Sequence, residues 1–104
     1  MIKKKAYDGV VVAVHYKPQG EIDWVRAFER HGFVFSDRVM LGREALVQRL
    51  KDGKRFKTGA RKTYEGNDFE VREDIRLIDK NGSSVIVAGP AASERDALIG
   101  VPII

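Results

Sequence analysis

The stretch Asp23-Trp24-Val25-Arg26-Ala27-Phe28-Glu29-Arg30-His31 decides the order in which this chain is assembled. It stands between two strand-like runs, so its conformation settles whether the chain opens β-α-β. Trp24, Val25 and Phe28 recur at helical spacing, and Asp23 is placed to accept from the orphan N–H groups of a first turn. Gly32 suits the left-handed position after a last turn. The spacing predicts a short helix over Asp23–His31. Trp24, like Tyr7, is expected in the core, where large aromatics beside an apolar stripe usually pack.

Upstream, Tyr7–Tyr16 reads as a strand. Val10, Val11, Val12, Ala13 and Val14 run without alternation and are mostly β-branched, the pattern of a strand covered on both faces. A charge at Val12 is therefore expected to unfold the protein. Pro18 and Gly20 end the run. Lys3, Lys4 and Lys5 precede it as in a signal peptide. The run is five residues long, against about 7–15 for a signal core and about 20 for a membrane span. The expectation is a cytoplasmic protein with no membrane partner.

Downstream, Phe33–Leu41 reads as a second strand interrupted by Ser36-Asp37-Arg38, the alternative being a cap at Ser36 and a longer helix behind it. Gly42–Asp52 reads as a helix with Leu46, Val47 and Leu50 as its apolar stripe and Gly53 as its end. A meander follows: Lys54–Tyr64, a turn at Glu65-Gly66-Asn67-Asp68, Phe69–Asp79, a type I′ turn signal at Asn81-Gly82, and Val85–Ala88. Ser93 followed by Asp96 resembles a capping box for a short last helix. The apolar tail Val101-Pro102-Ile103-Ile104 is expected to dock on its own sheet or across a homodimer.

The order is thus β-α-β-α-β-β-β and a short α. That predicts an α+β fold with a mixed or antiparallel sheet and its helices packed on one face, in a single domain over residues 1–104. The hydrophobic share of 43% and charged share of 33% fit a globular chain rather than a disordered one. With no cysteine, disulfides and thiolate metal sites are excluded.

Catalytic motifs are thin. Neither a phosphate-binding G-x-x-x-x-G-K-[ST] loop nor a G-x-G-x-x-G fingerprint is present. Lys57-Thr58-Gly59 matches a triplet of penicillin-binding enzymes, but the nucleophilic S-x-x-K they need is absent. His15 and His31 would need Asp8 or Asp37 to hold a metal, and nothing in their spacing requires it. Ser36-Asp37 with a histidine lacks any turn characteristic of a nucleophile. No catalytic residue, cofactor or metal ligand is assigned. A cleft joining His15 to Asp37 would be the one route to an enzyme. The acids Glu65, Asp68, Glu70, Glu73 and Asp74 read as charge balance within a hairpin.

The charge is local. Between Lys51 and Tyr64 lie Lys51, Lys54, Arg55, Lys57, Arg61 and Lys62 against Asp52, which is +5 in fourteen residues, while the whole chain is only +4. A two-residue turn at Gly66-Asn67 would set Tyr64 opposite Phe69, Thr58 opposite Ile75 and Phe56 opposite Leu77. One face is then largely apolar. The other carries Arg55, Lys57, Arg61, Arg72 and Arg76 against Glu70 and Asp74. Ile78 would face Val85 across the next turn. The candidate contact set is Lys54, Arg55, Lys57, Arg61, Arg72 and Arg76, for an anionic partner of which RNA or DNA is the leading example. No aromatic residue lies among these charges to stack on bases. The rival expectation is a protein-interaction or structural module, homo-oligomeric or paired with another protein through its tail or a sheet edge.

Overall fold

In a computed structural model, residues 7–31, 34–35, 38–61, 69–80, 83–89 and 95–104 are described. The order is β1 (Gly9–Tyr16), β2 (Ile22–His31), β3 (Val34–Phe35), β4 (Val39–Gly42), α1 (Arg43–Lys51), β5 (Phe56–Arg61), β6 (Phe69–Lys80) and β7 (Ser83–Ala88). The fold is therefore mostly sheet with one helix among the described residues, and the expected α+β order with several helices is overturned.

The decisive correction is at Asp23–His31, which forms most of β2 and pairs antiparallel with β1, Val10 facing Phe28 and Val14 facing Val25. Val25 and Ala27 are buried on one side. Trp24, Arg26 and Phe28 alternate with them on the other. The spacing of four between Trp24 and Phe28 is common to a helix and a strand, and Trp, Val and Phe all favour the pleated surface. The strand expected over Phe33–Leu41 is present as β3 and β4, both on the far side of β2. Helix α1 lies within the expected limits, with Leu46 buried and Arg49 and Lys51 in its last turn, where cations suit the dipole. The expected short last helix is not formed by residues 95–104, while Ser93 lies outside the described residues, as do Gly66-Asn67 and Asn81-Gly82.

The sheet runs β3-β2-β1-β5-β6-β7, with β4 also on β2. Only β1 and β5 are parallel among these pairs, because α1 carries the chain across between them. Val10 belongs to a small cluster with Phe28, Tyr7, Val12 and Val71, whereas Val11 and Val14 belong to the main core with Leu46, Phe56, Ile86 and Leu98. Strand β1 is covered on both faces, as its unbroken run requires. A bulge between Val11 and Ala13 places Val12 out of register, and it is only half-buried.

Residues 95–104 link the edge strand β7 to the end of β1 that β5 leaves unpaired. Ala97 bridges β7 at Val87, and Ile103 bridges β1 at Val14 beyond the point where β5 leaves it. The tail docks through Val14 N–H to the Pro102 carbonyl at 2.9 Å and Ile104 N–H to the Val14 carbonyl at 2.9 Å. Val101 is buried, but Ile103 and Ile104 stay 72% and 46% exposed.

The hairpin of β5 and β6 has a different register from the expected one. Lys57 faces Asp74, Gly59 faces Val71, Ala60 faces Glu70 and Arg61 faces Phe69, with a bulge between Lys57 and Gly59. Opposite Thr58 stand two residues, Arg72 and Glu73, and the Glu73 N–H donates to Thr58 Oγ1 at 3.1 Å. The shift is even at Lys57, so Phe56, Thr58 and Ile75 still face the core. It is odd beyond the bulge, so the faces exchange there. Gly59 permits the close approach: a Cβ on it would stand 2.5 Å from the Glu70 carbonyl oxygen. Across β6 and β7, Ile78 faces Val85 as the sequence indicates.

Candidate anion-binding groove

Helix α1 ends at Lys51, and the chain turns at Gly53, whose φ of 85° is in the left-handed region. Three of the last helical carbonyls are closed: Asp52 N–H donates to Gln48, Gly53 N–H to Leu50 and Lys54 N–H to Arg49. The negative end of the helix is thereby muted at the entrance to β5. Arg55 is then clamped by its backbone. Its carbonyl accepts from the Asp8 and Gly9 N–H groups at 2.6 and 3.2 Å, and its own N–H donates to Asp8 Oδ2 at 2.9 Å. The side chains of Lys54 and Arg55 are left exposed, and neither makes an ion pair among the described residues.

Strand β5 starts at Phe56 while β6 runs on past it to Lys80, so an open groove lies between the α1–β5 connection and β6. It has a volume of about 590 Å³. Leu50, Phe56, Ile75 and Leu77 supply apolar lining, and Lys54, Arg55, Lys57 and Arg76 are the cationic residues among its described lining. Asp74 is the one carboxylate among its described lining residues, 3.1 Å from Lys57 Nζ through Oδ1. Arg76 is held by its Nε, which donates to the Gly89 carbonyl at 2.8 Å.

Four of the six expected contact residues thus converge. The other two do not. Arg61 is the last residue of β5, opposite Phe69 at the far end of the hairpin. Arg72 belongs with Glu70, 3.6 Å away, on the side that the bulge has exchanged. The expected single basic face is split. Leu50, Ile75 and Leu77 were not foreseen as part of a site, because nothing in an apolar stripe tells a buried position from a groove wall.

The other charged centre is Asp96, 6% exposed. Its Oδ2 accepts from Ile22 N–H and Arg43 Nε, each at 2.8 Å, and its Oδ1 from Ile86 N–H at 2.9 Å and Arg43 Nη2 at 3.1 Å. Arg43 Nη2 also donates to the Ser84 carbonyl at 2.6 Å. Burial pushes the Asp96 carboxyl up, but these hydrogen bonds and the Arg43 charge prevail, and it is held below the ordinary carboxylate range. Asp96 is thus a clasp for β2, β7 and the start of α1, not the capping residue of a helix. All its hydrogen bonds are internal, which suits structure rather than proton transfer.

His15 donates from Nδ1 to the Ile104 carbonyl at 2.6 Å and stacks on Trp24, with ring centroids 5.1 Å apart. Trp24 is half-buried on the outer face of β2 rather than in the core. Asp37, the other half of the imagined cleft with His15, lies outside the described residues. Among the described residues, no three His, Asp or Glu side chains gather as a metal site, and no helix is long and apolar enough to cross a membrane. No family model, curated protein or solved structure matches this chain.

Proposed function

We propose that this protein is a non-catalytic binding module whose groove between α1, β5 and β6 takes an anionic partner, with single-stranded RNA or DNA as the leading example. The observation that carries the reading is the convergence of Lys54, Arg55, Lys57 and Arg76 on one groove with Asp74 as its only described carboxylate. Phosphates attract such cations without regard to sequence, and their contact releases condensed counterions. Binding of a mixed-sequence single strand, followed by fluorescence anisotropy, should therefore weaken steeply with salt. Three or four phosphate contacts give a log–log slope of about −2 to −3. Lys54→Glu with Arg55→Glu should flatten that slope and leave the circular dichroism unchanged, since both side chains are exposed. Failure of the wild-type protein to bind either RNA or DNA at low salt rejects the reading.

A second reading, a homo-oligomeric or protein-interaction module, has its support in Met40, Ile103 and Ile104, which are 66%, 72% and 46% exposed. Light scattering over a range of concentrations separates the two, because a rise in mass with concentration belongs to the second alone.

A further inference from the structure

Six of the described cationic side chains are answered by carboxylates: Lys17 by Glu21, Arg30 by Asp8, Arg43 by Asp96, Arg49 by Glu29, Lys57 by Asp74 and Arg72 by Glu70. Arg26 and Arg38, like Lys54 and Arg55, have no ion pair among the described residues, and both line one cavity. It lies where β5 and the tail part from β1, and its other described lining residues, Val12, Ala13, Phe28, Ala60 and Ile104, all have apolar side chains. Arg26 faces Ala13 on β1 and Met40 on β4, and its guanidinium lies 5.7 Å from the centre of the Trp24 ring. The cavity measures about 510 Å³, within the range of about 300–1,000 Å³ usual for small-molecule sites.

We infer that this cavity is a site for a small amphipathic carboxylate, an aliphatic acid whose head group is held by Arg26 and Arg38 and whose chain lies over Val12, Phe28 and Ile104. Planar guanidinium groups match a carboxylate in a paired geometry, and an apolar floor rewards a ligand with an apolar body. A nucleic-acid strand suits the cavity poorly. It would set charged backbone against an apolar floor, and Trp24 already has His15 stacked on it and Arg26 over its ring. The site is independent of the groove between α1, β5 and β6.

The full chain titrated with octanoate, octanol and octylammonium tests the assignment by calorimetry. Octanoate should saturate a single site. Octanol should bind at least about tenfold more weakly, the loss of a charge-assisted hydrogen bond, and octylammonium should not bind. Arg26→Glu with Arg38→Glu should weaken octanoate binding by at least about tenfold, while Arg55→Glu leaves it unchanged. The comparison of the three ligands on the wild-type protein stands even if the double variant fails to fold. Equal binding of all three ligands, or no saturable binding of octanoate, overturns the proposal. So does a loss of oligonucleotide affinity in the double variant, which would give this face to nucleic acid. A dimer that dissociates in the double variant would show the face covered by a second copy, and that too overturns it.

Discussion

Asp96 holds together three elements that are far apart in sequence, and the cost of losing it follows from its four hydrogen bonds. Asp96→Ala leaves the partly buried Arg43 guanidinium without its partner and two backbone N–H groups, of Ile22 and Ile86, without acceptors. Breaking a buried pair from one side costs about 3–5 kcal/mol, and urea denaturation should show a loss of that order. The pH dependence has a definite sign. A carboxyl held down in the folded state contributes its full stability above its unfolded value of about 3.9, and that contribution is lost as pH falls through the lower folded value. The wild-type protein should therefore lose stability on acidification below about pH 5, and Asp96→Asn should lose less over the same range. An equal acid loss in both proteins would mean that other carboxylates govern the transition.

The elements show where the sequence was legible and where it was ambiguous. Val10–Val14 carried its meaning openly, because a short apolar run that is mostly β-branched suits a strand covered on both faces. Leu46, Val47 and Leu50 likewise marked α1. Asp23–His31 did not, since Trp24 and Phe28 are four apart, a spacing that both periods satisfy, and the alternation of Val25 and Ala27 against Trp24 and Arg26 was the discriminating signal. The site was legible in the same uneven way. Lys54, Arg55 and Lys57 are local, and Arg76 lines the proposed groove with them because the register slip beside Lys57 is even. Arg61 and Arg72 stand away from that groove, beyond a bulge at Thr58 that no side-chain pattern announces. A bulge also redistributes the expected effect of a charge in β1. Val11 is fully buried in the main core, whereas Val12 is bulged and half-buried. Val11→Asp should abolish a cooperative thermal transition, because an unpaired buried charge costs several kcal/mol. Val12→Asp should keep one, at a loss of roughly 1–2 kcal/mol. If Val12→Asp proves the more damaging, the bulge is misplaced.

At the scale of the molecule, the C-terminal segment guards the exposed margins of the sheet. Along β7, the Ser84 carbonyl is taken by Arg43, the Ile86 N–H by Asp96, the Ile86 carbonyl by Ala97 N–H and the Ala88 N–H by the Ala97 carbonyl. An edge dressed in this way offers little to an incoming strand. The tail does the same for β1 at Val14. Deleting residues 101–104 removes the buried Val101, three backbone hydrogen bonds and the His15 bond to Ile104. The loss should be about 2–3 kcal/mol, which is on the order of 10 °C in Tm for a domain of this size. Docking within the chain makes that decrease the same at every protein concentration. A wild-type Tm that rises with concentration, and a deletion that removes the rise, would instead place the tail across a dimer.

The same arrangement has a consequence in time. A chain emerging from the ribosome has β1 and β2 long before residues 95–104 exist, yet Val14 and Ile86 find their last partners through that final stretch. Until then the nascent sheet carries two open margins, and loop closure over most of the chain must precede the contacts that reward it. Such non-local pairing folds on the scale of milliseconds to seconds rather than microseconds. The interval before residues 95–104 arrive is therefore when this protein most needs protection from its neighbours on the polysome.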